Sequence, residues 1–169
     1  MKSNLLTILG LMLLPIAAGA QSDFSGTWVA NGEESEQGVG TNYWFGRIDA
    51  EIPGQPDLTV EQDGNTISVY EEDRVLTRYD YPAVYVADGQ AKQVTDSGTG
   101  LAQVEITTSW NDDELVIESV KPWGSMPGNI MLQSREVWKL SPDGDKLYIT
   151  TTRSSPAKEV TYTKVYNRG

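Results

Sequence analysis

Asp23-Phe24-Ser25-Gly26-Thr27-Trp28 is the stretch that decides the fold of this chain. Side chains alternate between the two faces of a strand, so Phe24, Gly26 and Trp28 share one face. Glycine leaves room where a neighbouring strand crosses closely, and the tryptophan fills the space beside it. The stretch therefore predicts a first β-strand whose inner face carries a large aromatic plug.

The rest of the chain has a strand pattern. After residue 20 no segment shows a helical period, and β-branched and aromatic residues alternate with polar ones. Turns are indicated by Asp63-Gly64, Asp88-Gly89, Asp112-Asp113 and Asp143-Gly144. The predicted strands are 24–30, 57–62, 65–71, 74–80, 83–87, 90–95, 100–110, 114–121, 130–140, 146–154 and 157–167.

Three of these turns predict registers in which apolar residues oppose apolar residues on one face. A slip of one residue would destroy that match. The predicted opposing pairs are Val60 with Ile67, Leu58 with Val69, Trp110 with Leu115, Thr108 with Ile117, Leu140 with Leu147, and Trp138 with Ile149. Consecutive hairpins without a crossover helix predict an all-β fold, a single antiparallel up-and-down β-barrel of eight to ten strands. A two-sheet sandwich is the alternative.

Gly26 and Trp28, at the head of an all-β chain, resemble the first strand of the lipocalin and avidin-like barrels. That resemblance implies that Trp28 closes one barrel end beneath an arginine of the last strand, which here is Arg168. The whole chain is also similar to the lipocalin-like (calycin-type) secreted bacterial β-barrel family of mostly unassigned function. The motifs that carry this similarity are FSGTW at 24–28, LTVEQDG at 58–64 and VWKLSPDG at 137–144. The family implies a fold and export, and it implies no reaction.

The first twenty residues have the pattern of a signal peptide. Lys2 supplies the positive charge, residues 5–16 form the apolar stretch, and Ala18-Gly19-Ala20 is a small-x-small cleavage site. The apolar stretch is shorter than the roughly 20 residues of a membrane span, and no cysteine follows it for lipid attachment. We therefore expect residues 1–20 to be removed. Residues 21–169 would then form one lipocalin-like β-barrel domain, periplasmic or extracellular and free of the membrane.

The composition excludes several kinds of chemistry. The chain has 24 acidic and 13 basic residues, a net charge of −11, and loss of Lys2 with the signal peptide makes it −12. Such a surface repels nucleic acid and anionic lipid. The absence of histidine and cysteine excludes Ser-His-Asp and Cys-His catalysis, histidine-bound zinc and disulfides. No acidic cluster has the spacing of a calcium loop, so neither a metal nor a cofactor is expected.

Two segments interrupt the strand rhythm and carry large aromatic residues. The long connection 31–56 contains Tyr43-Trp44-Phe45, and the segment 121–128 contains Trp123 between two prolines. Long connections of this kind are usually functional or mobile. We interpret Tyr43, Trp44 and Trp123 as a lid over a cavity lined by Trp28, Trp110, Trp138 and Tyr162. Packing of the same side chains as fixed core is the alternative.

Glu136 is predicted to point into the barrel, opposite Thr151 and diagonal to Arg153. A buried carboxylate is unfavourable unless it is paired. An internal ion pair between Glu136 and Arg153 is one interpretation, and a polar anchor for a ligand or a general base is the other.

The first functional hypothesis is an exported barrel that binds a small apolar or amphipathic molecule, with Glu136 and Arg153 as polar anchors. The second is a cofactor-independent cyclase, isomerase, lyase or hydratase on the same barrel. Its base would be Glu136, and Tyr162 or Arg153 would be the acid or oxyanion partner. The third is a secreted interaction or inhibitor module that acts through its loops. The sequence leaves the oligomeric state open.

Overall fold

The computed structural model describes residues 21–36, 40–42, 47–50, 55–71, 83–95, 103–123, 130–155 and 159–169. These ranges contain strands and turns and no helix. The strands are β1 Gly26–Ala30, β2 Gly40–Asn42, β3 Arg47–Ala50, β4 Leu58–Asp63, β5 Thr66–Glu71, β6 Ala83–Val86, β7 Ala91–Thr95, β8 Gln103–Asn111, β9 Glu114–Trp123, β10 Ile130–Leu140, β11 Lys146–Ser154 and β12 Glu159–Arg168. Across the same ranges no helix is long and apolar enough to cross a bilayer.

Ten of the strands form one curled antiparallel sheet in the order β6-β5-β4-β1-β12-β11-β10-β9-β8-β7. From β4 to β6 and from β7 to β12, strands adjacent in the chain are adjacent in the sheet, and β1 lies between β4 and β12 and so joins these two halves. The predicted all-β up-and-down architecture of eight to ten strands is confirmed, and the sheet is continuous rather than split into a sandwich.

The predicted closure is incomplete at one seam. Within the described residues, the outer strands β6 and β7 are not paired with each other. The turn between β6 and β7 donates hydrogen bonds to other parts of the sheet. The Ala87 N–H donates to the carbonyl of Asn65, in the β4–β5 turn, at 2.8 Å, and the Gly89 N–H donates to the carbonyl of Thr108, on β8, at 2.9 Å. The backbone groups that would start a β6–β7 ladder are therefore used by neighbouring strands.

Two of the three predicted hairpin registers are confirmed. Trp110 opposes Leu115 in β8–β9, and Leu140 opposes Leu147 in β10–β11.

The third predicted register, in β4–β5, is wrong by two residues. Val60 opposes Val69 instead of Ile67, because the turn is made by residues 64 and 65 instead of 63 and 64. Gly64 has φ +56° and takes the first central position, which a type II′ turn reserves for glycine. A shift of two residues keeps every side chain on its predicted face.

The long connection 31–56 contains structure that the sequence did not reveal. Strands β2 and β3 pair as a separate two-stranded sheet within it. Its first residues, 31–36, cover the edge of β12 beyond β1: the Asn31 N–H donates to the Val165 carbonyl, and the Glu36 N–H donates to the Thr163 carbonyl, each at 2.9 Å. The predicted strand 74–80 lies outside the described residues.

The densest part of the core is at one end of the curled sheet. The turns that follow β4, β8 and β10 meet the start of β1 and the end of β12 at this end, which we call the closed end. Its fully buried side chains include those of Phe24, Trp28, Ile67, Leu115 and Leu147. Burial of five large apolar side chains at one end makes it the main source of hydrophobic stabilisation.

Candidate ligand-binding interior

Trp28 and Arg168 seal the closed end. The Trp28 indole N–H donates to the Phe24 carbonyl at 2.8 Å, and the Arg168 guanidinium lies 4.5 Å from the centre of the Trp28 ring. The same guanidinium group donates to the carbonyl oxygens of Ser25 at 3.2 Å and Gly144 at 2.9 Å. The arginine-over-tryptophan arrangement implied by the resemblance is therefore confirmed. Trp28 has no exposed surface, so it forms the floor of the interior, and direct ligand contact by Trp28 remains a prediction.

Phe24, just before β1, packs against the inner face of β8 and β10. Its ring stacks on Trp110 with centroids 5.9 Å apart and planes 8° apart, and it meets Trp138 edge-on, also at 5.9 Å. Its backbone N–H donates to the Gln62 side chain at 3.0 Å. The sequence placed Phe24 on the face of Trp28, but the contact with two tryptophans from β8 and β10 follows only from the curl of the sheet.

The inner face of β8 to β12 becomes more polar with distance from the closed end. Residues that oppose one another on successive strands form rows across this face. The lower row is Trp110, Leu115, Trp138 and Ile149. The middle row is Thr108, Ile117, Glu136, Thr151 and Tyr162. The upper row is Ile106, Ser119, Ser134 and Arg153. On β8 to β11 the lower row is thus apolar, and the two rows above it combine polar side chains with Ile117 and Ile106. On β12, Lys164 continues the lower row.

Glu136 and Arg153 do not form the predicted internal ion pair, although their strand registers are as predicted. Among the described residues, no ion pair joins them. The Arg153 guanidinium lies 5.7 Å from the centre of the Tyr162 ring and is exposed, so it keeps its hydration while it stacks on the ring. Glu136 is half-buried and accepts one long hydrogen bond, from Trp138 Nε1 at 3.5 Å. A carboxylate has about four acceptor positions, so Glu136 retains capacity for further donors.

Tyr85 is an interior residue that the site prediction missed. It lies on β6, opposite the fully buried Ile67, and β6 is six places from β10 in the sheet order. Burial raises the pKa of the Tyr85 phenol, and the negative charges of Glu136 and Glu71 raise it further. Tyr85 and Glu136 therefore interact across the interior from opposite walls. The alternation of tyrosines before β6 was visible in the sequence, but this juxtaposition was not.

Tyr166, on β12, is the second interior phenol that the site prediction missed. It is 2 % exposed. Burial raises its pKa most, a hydrogen bond with Gln55 lowers it, and the charges of Glu71, Glu136 and Asp57 raise it. Both phenols stay protonated over the physiological range and can donate hydrogen bonds. The shared parity of Tyr162 and Tyr166 was the sequence signal for this residue.

The Trp110 indole N–H is buried and has no hydrogen-bond partner among the described residues. Leaving such a donor unsatisfied is unfavourable by about 1–3 kcal/mol. The Phe24 ring stacks on the Trp110 ring, so this donor lies within the packed lower row.

The remaining predicted site residues are only partly described. Trp123 ends β9, where it pairs with Ile130, and its side chain lies outside the description. Tyr43 and Trp44 lie outside the described residues. The predicted catalytic roles of Glu136, Tyr162 and Arg153 remain predictions. Over the described part of the chain, no three acidic side chains converge as metal ligands do.

Comparisons with known proteins add evidence for the fold. Neither a protein-family model nor a curated protein sequence matches the chain. Among solved structures, the chain is similar to the zebrafish ileal bile acid-binding protein in complex with cholic acid. The TM-score is 0.51 at 17 % identity, and the match covers 86 % of this chain and 98 % of that one. At this identity the similarity shows the fold alone, a curled antiparallel sheet of the calycin type.

Proposed function

We propose that this protein is an exported binder that holds a small amphipathic molecule inside its curled sheet. The observation that carries the proposal is the graded inner wall. On β8 to β11 the lower row consists of aromatic and aliphatic side chains, and polar groups occur in the middle and upper rows. Ligand sites are typically apolar with a few placed polar groups.

Two further observations support this proposal. The protonated phenol of Tyr85 supplies a hydrogen-bond donor on the wall opposite Glu136. The similar zebrafish protein is a bile acid-binding protein, and its structure contains cholic acid, a small amphipathic molecule. The two chains share a fold with an inner face, so we expect a ligand of that general size, with an apolar body and polar groups.

Binding inside the sheet is tested with two matched variants on one strand. Ser134 lies on the inner face of β10 and Gln133 on its exposed outer face, so each is replaced by phenylalanine. A neutral environment-sensitive dye, Nile red, is titrated into the mature protein. We expect Ser134→Phe to weaken binding about tenfold or more by occupying the interior, and Gln133→Phe to leave it unchanged. Equal effects of the two variants, or no uptake of dye by the parent protein, would contradict the proposal.

Export is the second part of the proposal and rests on the pattern of residues 1–20. The test is to express the full chain in a bacterial host and measure the mass of the protein recovered outside the cytoplasm. A chain that begins at Gln21 supports export with cleavage after Ala20. A full-length chain retained in the cytoplasm would contradict it.

A further inference from the structure

Glu136 gives the interior a negative charge at mid-height. It lies between Ile117 and Thr151 in the middle row, with Trp138 below it and Ser134 above it on its own strand. Within the described part of the chain, no cationic group lies within ion-pair distance of its carboxylate. A half-buried carboxylate without a cation is unfavourable unless donors reach it.

Within the described residues, the charged groups that act on the phenols opposite Glu136 are carboxylates. The charges that act on Tyr85 are those of Glu136 and Glu71, both negative. The same two carboxylates and Asp57 act on Tyr166. Glu136 is therefore a carboxylate that acts on both phenols.

Arg153 and Lys164, on β11 and β12, are inner-parity cations that lie in other rows than Glu136. Arg153 belongs to the upper row, is exposed, and stacks on Tyr162. Lys164 opposes Ile149 and so continues the lower row on β12. It is already engaged in an interaction of its own. Neither cation is paired with Glu136, so neither removes its preference for a donor.

We infer that the interior selects an amphiphile whose polar end is a hydrogen-bond donor, either uncharged or cationic, and discriminates against amphiphilic carboxylates. The donor reaches the free acceptor positions of Glu136, and the apolar part lies against Trp110 and Trp138. A carboxylate at the same place would meet Glu136 at close range in a poorly solvated space, where repulsion between like charges is strong. The inference rests on the proposed function and specifies its ligand class.

The test uses three ligands with one tail: decanol, decylammonium and decanoate compete with Nile red for the mature protein at neutral pH. In the parent protein we expect decanoate to compete at least about tenfold more weakly than decanol, and decylammonium at least as well as decanol. In Glu136→Gln the gap between decanoate and decanol should shrink to about threefold or less. Thermal unfolding of each variant verifies that it is folded.

The matched control is Glu118→Gln. Glu118 is an exposed residue on the outer face of β9, so this variant changes the net charge equally without touching the interior. It should keep the discrimination of the parent protein. Equal competition by decanoate and decanol in the parent, or a gap that persists in Glu136→Gln, would overturn the inference while leaving the binding proposal intact. Failure of all three ligands and of Nile red to bind would overturn both.

Discussion

The closed end and the middle of the interior are built from the same strands but are packed differently. At the closed end, Phe24 and Trp28 have no exposed surface, and Arg168 covers the Trp28 ring. In the middle of the interior, two residues along β10 from Trp138, Glu136 is half-buried and accepts a long hydrogen bond. Arg153, on the neighbouring strand β11, is exposed. This difference indicates that the closed end supplies most of the stability. The middle of the interior can therefore carry the polar groups of the proposed ligand site.

The largest expected effect is that of Phe24→Ala. The substitution removes the ring that packs between Trp110 and Trp138, and loss of a buried phenylalanine typically lowers the free energy of unfolding by about 3–5 kcal/mol. Urea denaturation followed by tryptophan fluorescence measures it. The control, Val29→Ala, alters a side chain that is 42 % exposed and should change stability by less than about 0.5 kcal/mol. Similar losses in the two variants would contradict the closed end as the stability centre.

Alkaline pH provides the second test, through Tyr85 and Tyr166. Their pKa values are raised in the folded state, so their contribution to stability is complete below the unfolded pKa of about 10 and is lost as pH rises toward the folded values. While both phenols hold protons that the unfolded chain has released, the free energy of unfolding should fall by about 3 kcal/mol per pH unit. Stability measured against pH, with Tyr85→Phe and Tyr166→Phe for comparison, should show a shallower fall in each variant. Unchanged slopes would contradict the assignment.

Arg168→Gln tests the seal over Trp28. The variant loses the cation over the ring and the guanidinium hydrogen bonds to Ser25 and Gly144, so we expect a loss of about 1–2 kcal/mol. Arg135→Gln is the control, because Arg135 makes only an exposed ion pair with Glu118 at 3.6 Å and should contribute little. If the two variants unfold at the same urea concentration, the seal contributes nothing beyond an ordinary surface arginine.

The smallest effect on stability is expected for Glu136→Gln. Glutamine has the same shape and keeps an acceptor for Trp138 Nε1, so the free energy of unfolding should change by less than about 0.5 kcal/mol. Thermal and urea unfolding check this value, and the same protein supplies the ligand-discrimination measurement. A loss above about 2 kcal/mol would show that the middle row stabilises the fold as the closed end does.

The fold was predictable because its signals are local. The alternation of side chains and the turn dipeptides identified the hairpins, and the Gly26 and Trp28 pair at the chain start indicated the plug. The arginine over the plug was implied only by the resemblance to the lipocalin and avidin-like barrels. The predicted β4–β5 register was wrong by two residues because Gly64 occupies the first central position of the turn, where a positive φ is required, and not the second. The sequence did not predict the gap between β6 and β7, because that gap depends on which carbonyl groups accept hydrogen bonds from the backbone N–H groups of the connecting turn.

The candidate site was only half predictable. The registers placed Glu136 opposite Thr151, as found, but the ion pair with Arg153 was wrong since the guanidinium stacks on Tyr162 instead. Tyr85 was missed because its partner across the interior lies on a wall far away in the chain.

The sequence by itself determined the strand pattern, the parity of Glu136, Arg153 and Tyr162, and the plug at Trp28, because period-two alternation and turn chemistry act over a few residues. Only the tertiary structure decided the contact of Phe24 with two tryptophans and the interaction of Tyr85 with Glu136 across the interior. Both depend on how far a twisted sheet curls before its strands meet, and that curvature is the summed result of packing along all ten strands.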